Sequence, residues 1–109
     1  MWGAGARYLK RILSGWATEL IELHGERNTF FPEMERPEPI APNLKTLSAK
    51  VKRQKADVGL ATDGDADRMG IVDENGVFIT QLQVFALLCL YLLEVRGERG
   101  PIVKTLNTT

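Results

Sequence analysis

Three carboxylates at alternate positions, Asp63, Asp65 and Asp67, with Arg68 directly behind them, have the strongest claim to chemistry in this chain. Like charges at that spacing repel one another, and a divalent cation that takes an oxygen from each relieves the repulsion. Gly64 lets the backbone bend so that the side chains converge. Arg68 adds a planar cation suited to a bidentate hold on a phosphate that the metal also coordinates. The loop reads as a holder for a hard cation.

Other readings compete on the same residues. An EF-hand loop counted from Asp63 would place Glu74 at its twelfth position, but the sixth, which needs a glycine for the sharp turn, is Arg68. Aspartyl-phosphate chemistry, with Asp63 as nucleophile and Asp65 as its acid/base partner, needs a carboxylate on the loop after a strand and stays open. So does a solvated acidic turn, because turns favour Asp and Gly for reasons unrelated to metals.

The loop must be held by what flanks it. Val58 to Ala61 is a short apolar run typical of a buried strand, and it leads straight into Asp63. Behind the loop, Met69 to Asp73 and Val77 to Thr80 flank Glu74-Asn75-Gly76, a hairpin signal that puts Asp73 and Glu74 at the tip, away from the metal. Upstream, Asn43 is the expected N-cap of a helix through Lys55 with Leu44, Leu47 and Val51 on one face. Downstream, Thr80 and Gln83 form a capping box for a buried helix that Gly97 closes, and Pro101 to Leu106 reads as a last strand.

The front of the chain repeats this alternation. Gly3-Ala4-Gly5 turns into a helix over Ala6 to Ser14, whose face of Tyr8, Leu9, Ile12, Leu13 and Trp16 is that of a helix covering a sheet. Thr18 to Leu23 reads as a strand. The stretch from His24 to Pro42 holds four of the five prolines and cannot be regular structure. Within it His24 has no nucleophile or metal-ligand spacing beside it and is expected to be a hydrogen-bonded loop residue, while Phe30 and Phe31 are expected to pin the loop to the body. The fold class is α/β, with 1–109 as a single domain.

Composition excludes several classes of function. Lys and Arg number 14, Asp and Glu 14, so the net charge is zero and there is no electrostatic footprint for nucleic acid or an anionic membrane. Hydrophobic residues make up 44%, as in a globular domain. Val84 to Leu93 is apolar but too short to span a bilayer. The single Cys89 cannot form an internal disulfide, which suits a reducing, cytoplasmic setting.

The loop Asp63-Gly64-Asp65-Ala66-Asp67-Arg68 resembles the magnesium loop of the α-D-phosphohexomutases, the phosphoglucomutase/phosphomannomutase family, which carry it in the second of four domains. Gly3-Ala4-Gly5, His24-Gly25-Glu26-Arg27-Asn28 with Phe31-Pro32, Arg36-Pro37-Glu38-Pro39, Asn43-Leu44, Ala56-Asp57 and Gly100-Pro101-Ile102-Val103-Lys104 resemble that family in the same order. The likeness implies a three-layer α/β/α sandwich with an open mixed sheet, here lacking its first strand, of which only Met1 and Trp2 remain. It also implies a mechanism for a complete enzyme. A phosphoserine on another domain exchanges a phosphoryl group with a hexose phosphate through a bisphosphate intermediate, Mg2+ is bound at Asp63, Asp65 and Asp67, and Arg68 is an electrostatic helper.

The family's Ser-His-Asn-Pro, Gly-Glu-x-Ser-Gly and Arg-Thr-Ser-Gly loops do not occur in this sequence. Ser14 and Ser48 lie on or at helix ends without a base beside them. The chain alone is therefore expected to be inactive, with the hexose phosphate and the other domains of the enzyme as its partners. The alternative is a non-catalytic truncated domain that binds metal or a partner, with a homodimer completing its sheet across chains.

Overall fold

The computed structural model describes residues 1–15 and 19–104, so Trp16 and Thr18 at the front and Leu106 at the back lie outside the described residues. Helix α1 spans Tyr8–Leu13, a 3-10 turn at Ala41–Leu44 leads into α2, Lys45–Gln54, and three strands follow: β1 Val58–Thr62, β2 Met69–Asp73 and β3 Phe78–Ile79. Helix α3, Gln81–Leu90, continues into a π turn at Tyr91–Val95. The class is α/β, as expected, with an open sheet in the order β1-β2-β3.

Both described strand pairs are antiparallel. β1 and β2 run in register from Val58 opposite Asp73 to Thr62 opposite Met69, and β3 adds Ile79 opposite Ile71. Gly76, at φ +74, makes the connecting turn in a conformation that suits glycine, and Asp73 Oδ1 accepts from the Asn75 and Val77 amides. The hairpin tip therefore holds its own carboxylate, away from the acidic loop.

Side chains alternate across a strand, so Gly59 and Ala61 of β1 share a buried face with Gly70 and Val72 of β2. α2 packs on that face, and Leu44, Val51, Ala61 and Val72 form the core with Leu47, Ala56 and Phe78 against it. Gly59 permits the closeness, because a Cβ there would lie 2.8 Å from Val51 Cγ2. The turn into α1 approaches the opposite face at Thr62. The strand that carries the acidic loop is thus fixed by a helix on one side and a turn on the other.

Several expectations need correction. Asn43 does not cap α2: its side-chain amide donates to the carbonyls of Arg36 and Glu38, both at 2.8 Å, tying down the Pro-Glu-Pro stretch instead. Residues 19–23 are near β1 but unpaired, since no described strand lies between the two to complete a ladder. Pro101 to Lys104 likewise lie outside the sheet. The capping box of α3 is present, with the Gln83 amide donating to Thr80 Oγ1, yet the helix is not buried. Leu87, Leu88 and Leu90 are each more than half exposed, because no described element covers them. On α1, Tyr8 and Ile12 are also exposed, and only Leu9 and Leu13 of its apolar face are partly covered. Phe30 is 91% exposed and pins nothing, whereas Phe31 reaches Gly64. Among the described residues no helix is long and apolar enough to cross a membrane.

Candidate metal centre

The acidic loop joins β1 to β2, and the two strands hold its ends together. The Asp63 amide donates to the Arg68 carbonyl at 3.2 Å, closing the loop on itself one step beyond the ladder. Ala66 takes the left-handed conformation, at φ 69, that the turn requires, and Gly64 does not. Gly64 is needed for space. A Cβ there would meet Pro37 Cγ at 2.9 Å and the Phe31 ring at 3.2 Å.

Two distant segments buttress the loop through its backbone. The Gly64 amide donates to the Pro37 carbonyl at 3.0 Å, and the Gly64 carbonyl accepts from the Ala4 amide at 2.9 Å. Gly3 is buried so close beneath that any Cβ would collide with the Gly64 carbonyl oxygen. The Gly-Ala-Gly turn thus serves as a support for the acidic loop. Sequence reasoning missed this role, and also Glu38, whose Oε1 lies 3.6 Å from Arg68 Nη1. The Pro-Glu-Pro motif was the available signal for both the Pro37 and the Glu38 contact.

The structure brings the three carboxylates together. One oxygen from each of Asp63, Asp65 and Asp67 lies within 4.8 Å of the others. Oxygens on an octahedral magnesium are about 2.9 Å apart when adjacent and about 4.2 Å when opposite, so the carboxylates would draw together on magnesium and less so on the larger calcium. Asp63 is fully buried, while Asp65 and Asp67 are exposed, so one carboxylate is fixed and two can adjust.

Arg68 holds the fixed carboxylate. Its Nε donates to Asp63 Oδ2 at 2.7 Å and its backbone amide to Asp63 Oδ1 at 3.2 Å, and the same Nε is 3.5 Å from Asp67 Oδ1. Burial alone would raise the Asp63 carboxyl, but the hydrogen bonds from Arg68 and from Asp67 outweigh it and keep Asp63 below the usual carboxylate range. Asp67 moves the other way, pushed up by its hydrogen bond to Asp63 and by the charge of Asp65. The two shifts diverge because the carboxylates crowd one another, and a cation would relieve the same repulsion. The donor set is all-oxygen, anionic and partly pre-formed, which fits a hard divalent ion.

His24 takes no part in this cluster. Its ring stacks on Trp2 at 4.0 Å between centroids, and burial, with the Met1 ammonium beside it, lowers its pKa against the pull of Glu33. It is a packing residue, and not the hydrogen-bonded one expected of that loop.

Known proteins show the same pattern. Residues 1–76 match the profile of the phosphoglucomutase/phosphomannomutase α/β/α domain II. A probable phosphoglucosamine mutase of Methanosarcina barkeri is 37% identical over 107 residues, covering 98% of this chain and 24% of that protein. Another, of Methanopyrus kandleri, is 42% identical over 90 residues, covering 83% of this chain and 19% of its own length. The crystal structure of a phosphoglucomutase/phosphomannomutase family protein from Burkholderia thailandensis superposes with a TM-score of 0.75 at 30% identity, over 87% of this chain and 21% of that one. The chain spans about a quarter of the length of the curated relatives it matches. Its buttressed acidic loop and these likenesses agree, and the chain belongs to the phosphoglucomutase/phosphomannomutase family, whose α/β/α domain II it carries.

Proposed function

We propose that this chain is the magnesium-binding part of a phosphohexomutase that moves a phosphoryl group between hydroxyls of a hexose phosphate by way of an enzyme phosphoserine and a bisphosphate intermediate. The observation that carries the reading is the convergence of Asp63, Asp65 and Asp67 within 4.8 Å on a loop anchored from both sides. Bound there, Mg2+ would neutralise the charge that accumulates as a phosphoryl group is transferred. The chain's own residues supply position. Asp63 is the rigid ligand, Asp65 and Asp67 close on the ion, and Arg68 orients Asp63 while its half-exposed guanidinium stands at the rim toward an incoming phosphate.

The phosphoserine and the sugar-selecting groups belong to parts of such an enzyme outside these residues, so the isolated chain does not turn over. The relatives' names make a glucosamine phosphate the hexose phosphate to try first. A cytoplasmic setting belongs to the same reading, supported by the lone free Cys89.

A chimera tests the proposal. Residues 1–109 replace the matched segment of the Methanosarcina barkeri protein, and interconversion of glucosamine 6- and 1-phosphates is assayed in magnesium. The expected result is metal-dependent turnover that Asp65→Asn lowers by about a hundredfold or more, the scale of losing one electrostatic element of a transition state. A folded chimera that turns over equally well with Asp65→Asn overturns the assignment of this loop.

A further inference from the structure

The Pro-Glu-Pro stretch is fixed to both ends of the acidic loop. Before Glu38, the Pro37 carbonyl accepts from the Gly64 amide at 3.0 Å. After it, Pro39 is fully buried against the start of β2, where a Cβ on Gly70 would lie 2.7 Å from the Pro39 carbonyl oxygen, and that oxygen accepts from Gln81 Nε2 at 3.1 Å. The two prolines restrict the backbone further, since each locks its own φ and Pro39 disfavours helical geometry at Glu38. The Glu38 amide donates to the Arg36 carbonyl at 2.8 Å, and its carbonyl accepts from the Ile40 amide at 2.9 Å and the Asn43 side chain at 2.8 Å. Glu38 is therefore mounted on rigid backbone beside Arg68, which lies between Gly64 and Gly70 in the chain.

None of these bonds uses the Glu38 carboxylate. Its Oε1 meets Arg68 Nη1 at 3.6 Å, beyond hydrogen-bond length. A half-exposed pair at that distance adds little stability, so holding the fold does not account for the acid. What the pair fixes is direction. Asp63 takes Nε at 2.7 Å and Glu38 faces Nη1, so two nitrogens of a planar group are placed, and Nη2, which joins neither contact, has its direction set by the other two.

We infer that Glu38 is a positioning residue for this site, holding the Arg68 guanidinium in the plane that presents Nη2 to a phosphomonoester bound on the cation. An arginine side chain left free loses rotamer freedom when it binds an anion, and one already held loses less. The inference rests on the proposed cation site for its use, while the contact between Glu38 and Arg68 stands without it. Charge alone argues for the opposite effect, because a carboxylate beside an anion repels it and its removal would tighten binding. The sign of the change therefore separates orientation from charge.

Two variants of the 109-residue chain test it. Glu38→Gln keeps the length of the side chain and removes its charge, and Glu38→Asp keeps the charge and withdraws it by one methylene. In the metal-free chain, rotation about the Arg68 Nε–Cζ bond, read by nitrogen-15 NMR of the guanidinium, should quicken about twofold or more in both as the hold on Nη1 is lost. In saturating magnesium, both should bind methyl phosphate about fivefold more weakly, the scale of ordering one long side chain, with magnesium affinity kept within about twofold. Unchanged rotation in both variants, or methyl phosphate bound as tightly or more tightly by Glu38→Gln, overturns the inference. A parent chain that takes magnesium at the loop but not methyl phosphate overturns it too and leaves the cation site standing. A parent chain whose loop does not respond to magnesium overturns the cation site and the inference together.

Discussion

Asp63→Asn is expected to abolish the response of this chain to magnesium and to lower its stability in the absence of metal by about 2 kcal/mol. Asp63 is fully buried and accepts from both the side chain and the backbone of Arg68. The amide of an asparagine can keep one of those bonds but turns a donor toward a donor at the other. Hydrogen bonds to charged groups are worth about 1.5–3 kcal/mol, and a half-exposed Arg68 recovers some of the loss from water. In calorimetry the metal-free midpoint should fall by roughly 10 °C. Saturating magnesium should raise the midpoint of the parent chain, as any ligand of the native state does, and leave that of the variant where it is. Asp65→Asn provides the contrast. Asp65 is exposed, so its loss should change metal-free stability by less than about 0.5 kcal/mol while still removing a ligand. A parent chain whose midpoint does not respond to magnesium, with stability lost equally in both variants, would make the loop a structural element and not a cation site.

Gly3→Val is expected to damage the same site from a distance. A Cβ at Gly3 would collide with the Gly64 carbonyl oxygen, which is backbone and cannot swing away. The side chain must therefore push the loop off its support, break the bond from the Ala4 amide, and shift the Asp63 carboxylate. Overpacking of this kind costs about 1–3 kcal/mol. Urea denaturation should show that loss, and a metal titration should show affinity reduced about tenfold or more. Gly5→Ala is milder, because its Cβ would meet the Thr62 hydroxyl, which can rotate, and the Ala66 Cβ at 3.0 Å, which has to give only a few tenths of an ångström. Equal metal affinity in Gly3→Val and the parent chain would mean that the acidic loop holds its shape without the Gly-Ala-Gly turn.

What the sequence made legible is what depends on neighbours in the chain. The acidic loop could be read because its three carboxylates and Arg68 lie within six residues, and strand pairing on both sides fixes their order in space. The Asn-Gly hairpin and the Thr80/Gln83 capping box are equally local, and both are present. Features that depend on distant groups came out differently. Residues 19–23 have a strand's alternation but no adjacent strand among the described residues, and a ladder needs two partners. Asn43 had the residue type of a cap, but the carbonyls of Arg36 and Glu38 claimed its amide. Gly64 was expected to bend the loop, yet it serves the approach of Pro37 and Phe31, which only the folded chain brings near. The apolar run of α3 correctly gave a helix, while its burial depended on a surface that no described element supplies.

The most direct test is a magnesium titration of the chain followed by amide NMR, with sodium at matched ionic strength as the control. A cation site at this loop predicts saturable shifts at Asp63 to Arg68, smaller ones at Ala4 and Pro37's neighbour Glu38, and none at the Asp73–Val77 hairpin. Shifts spread evenly over all exposed carboxylates, or none at Asp63 to Arg68 in a spectrum that stays dispersed at millimolar magnesium, would contradict it.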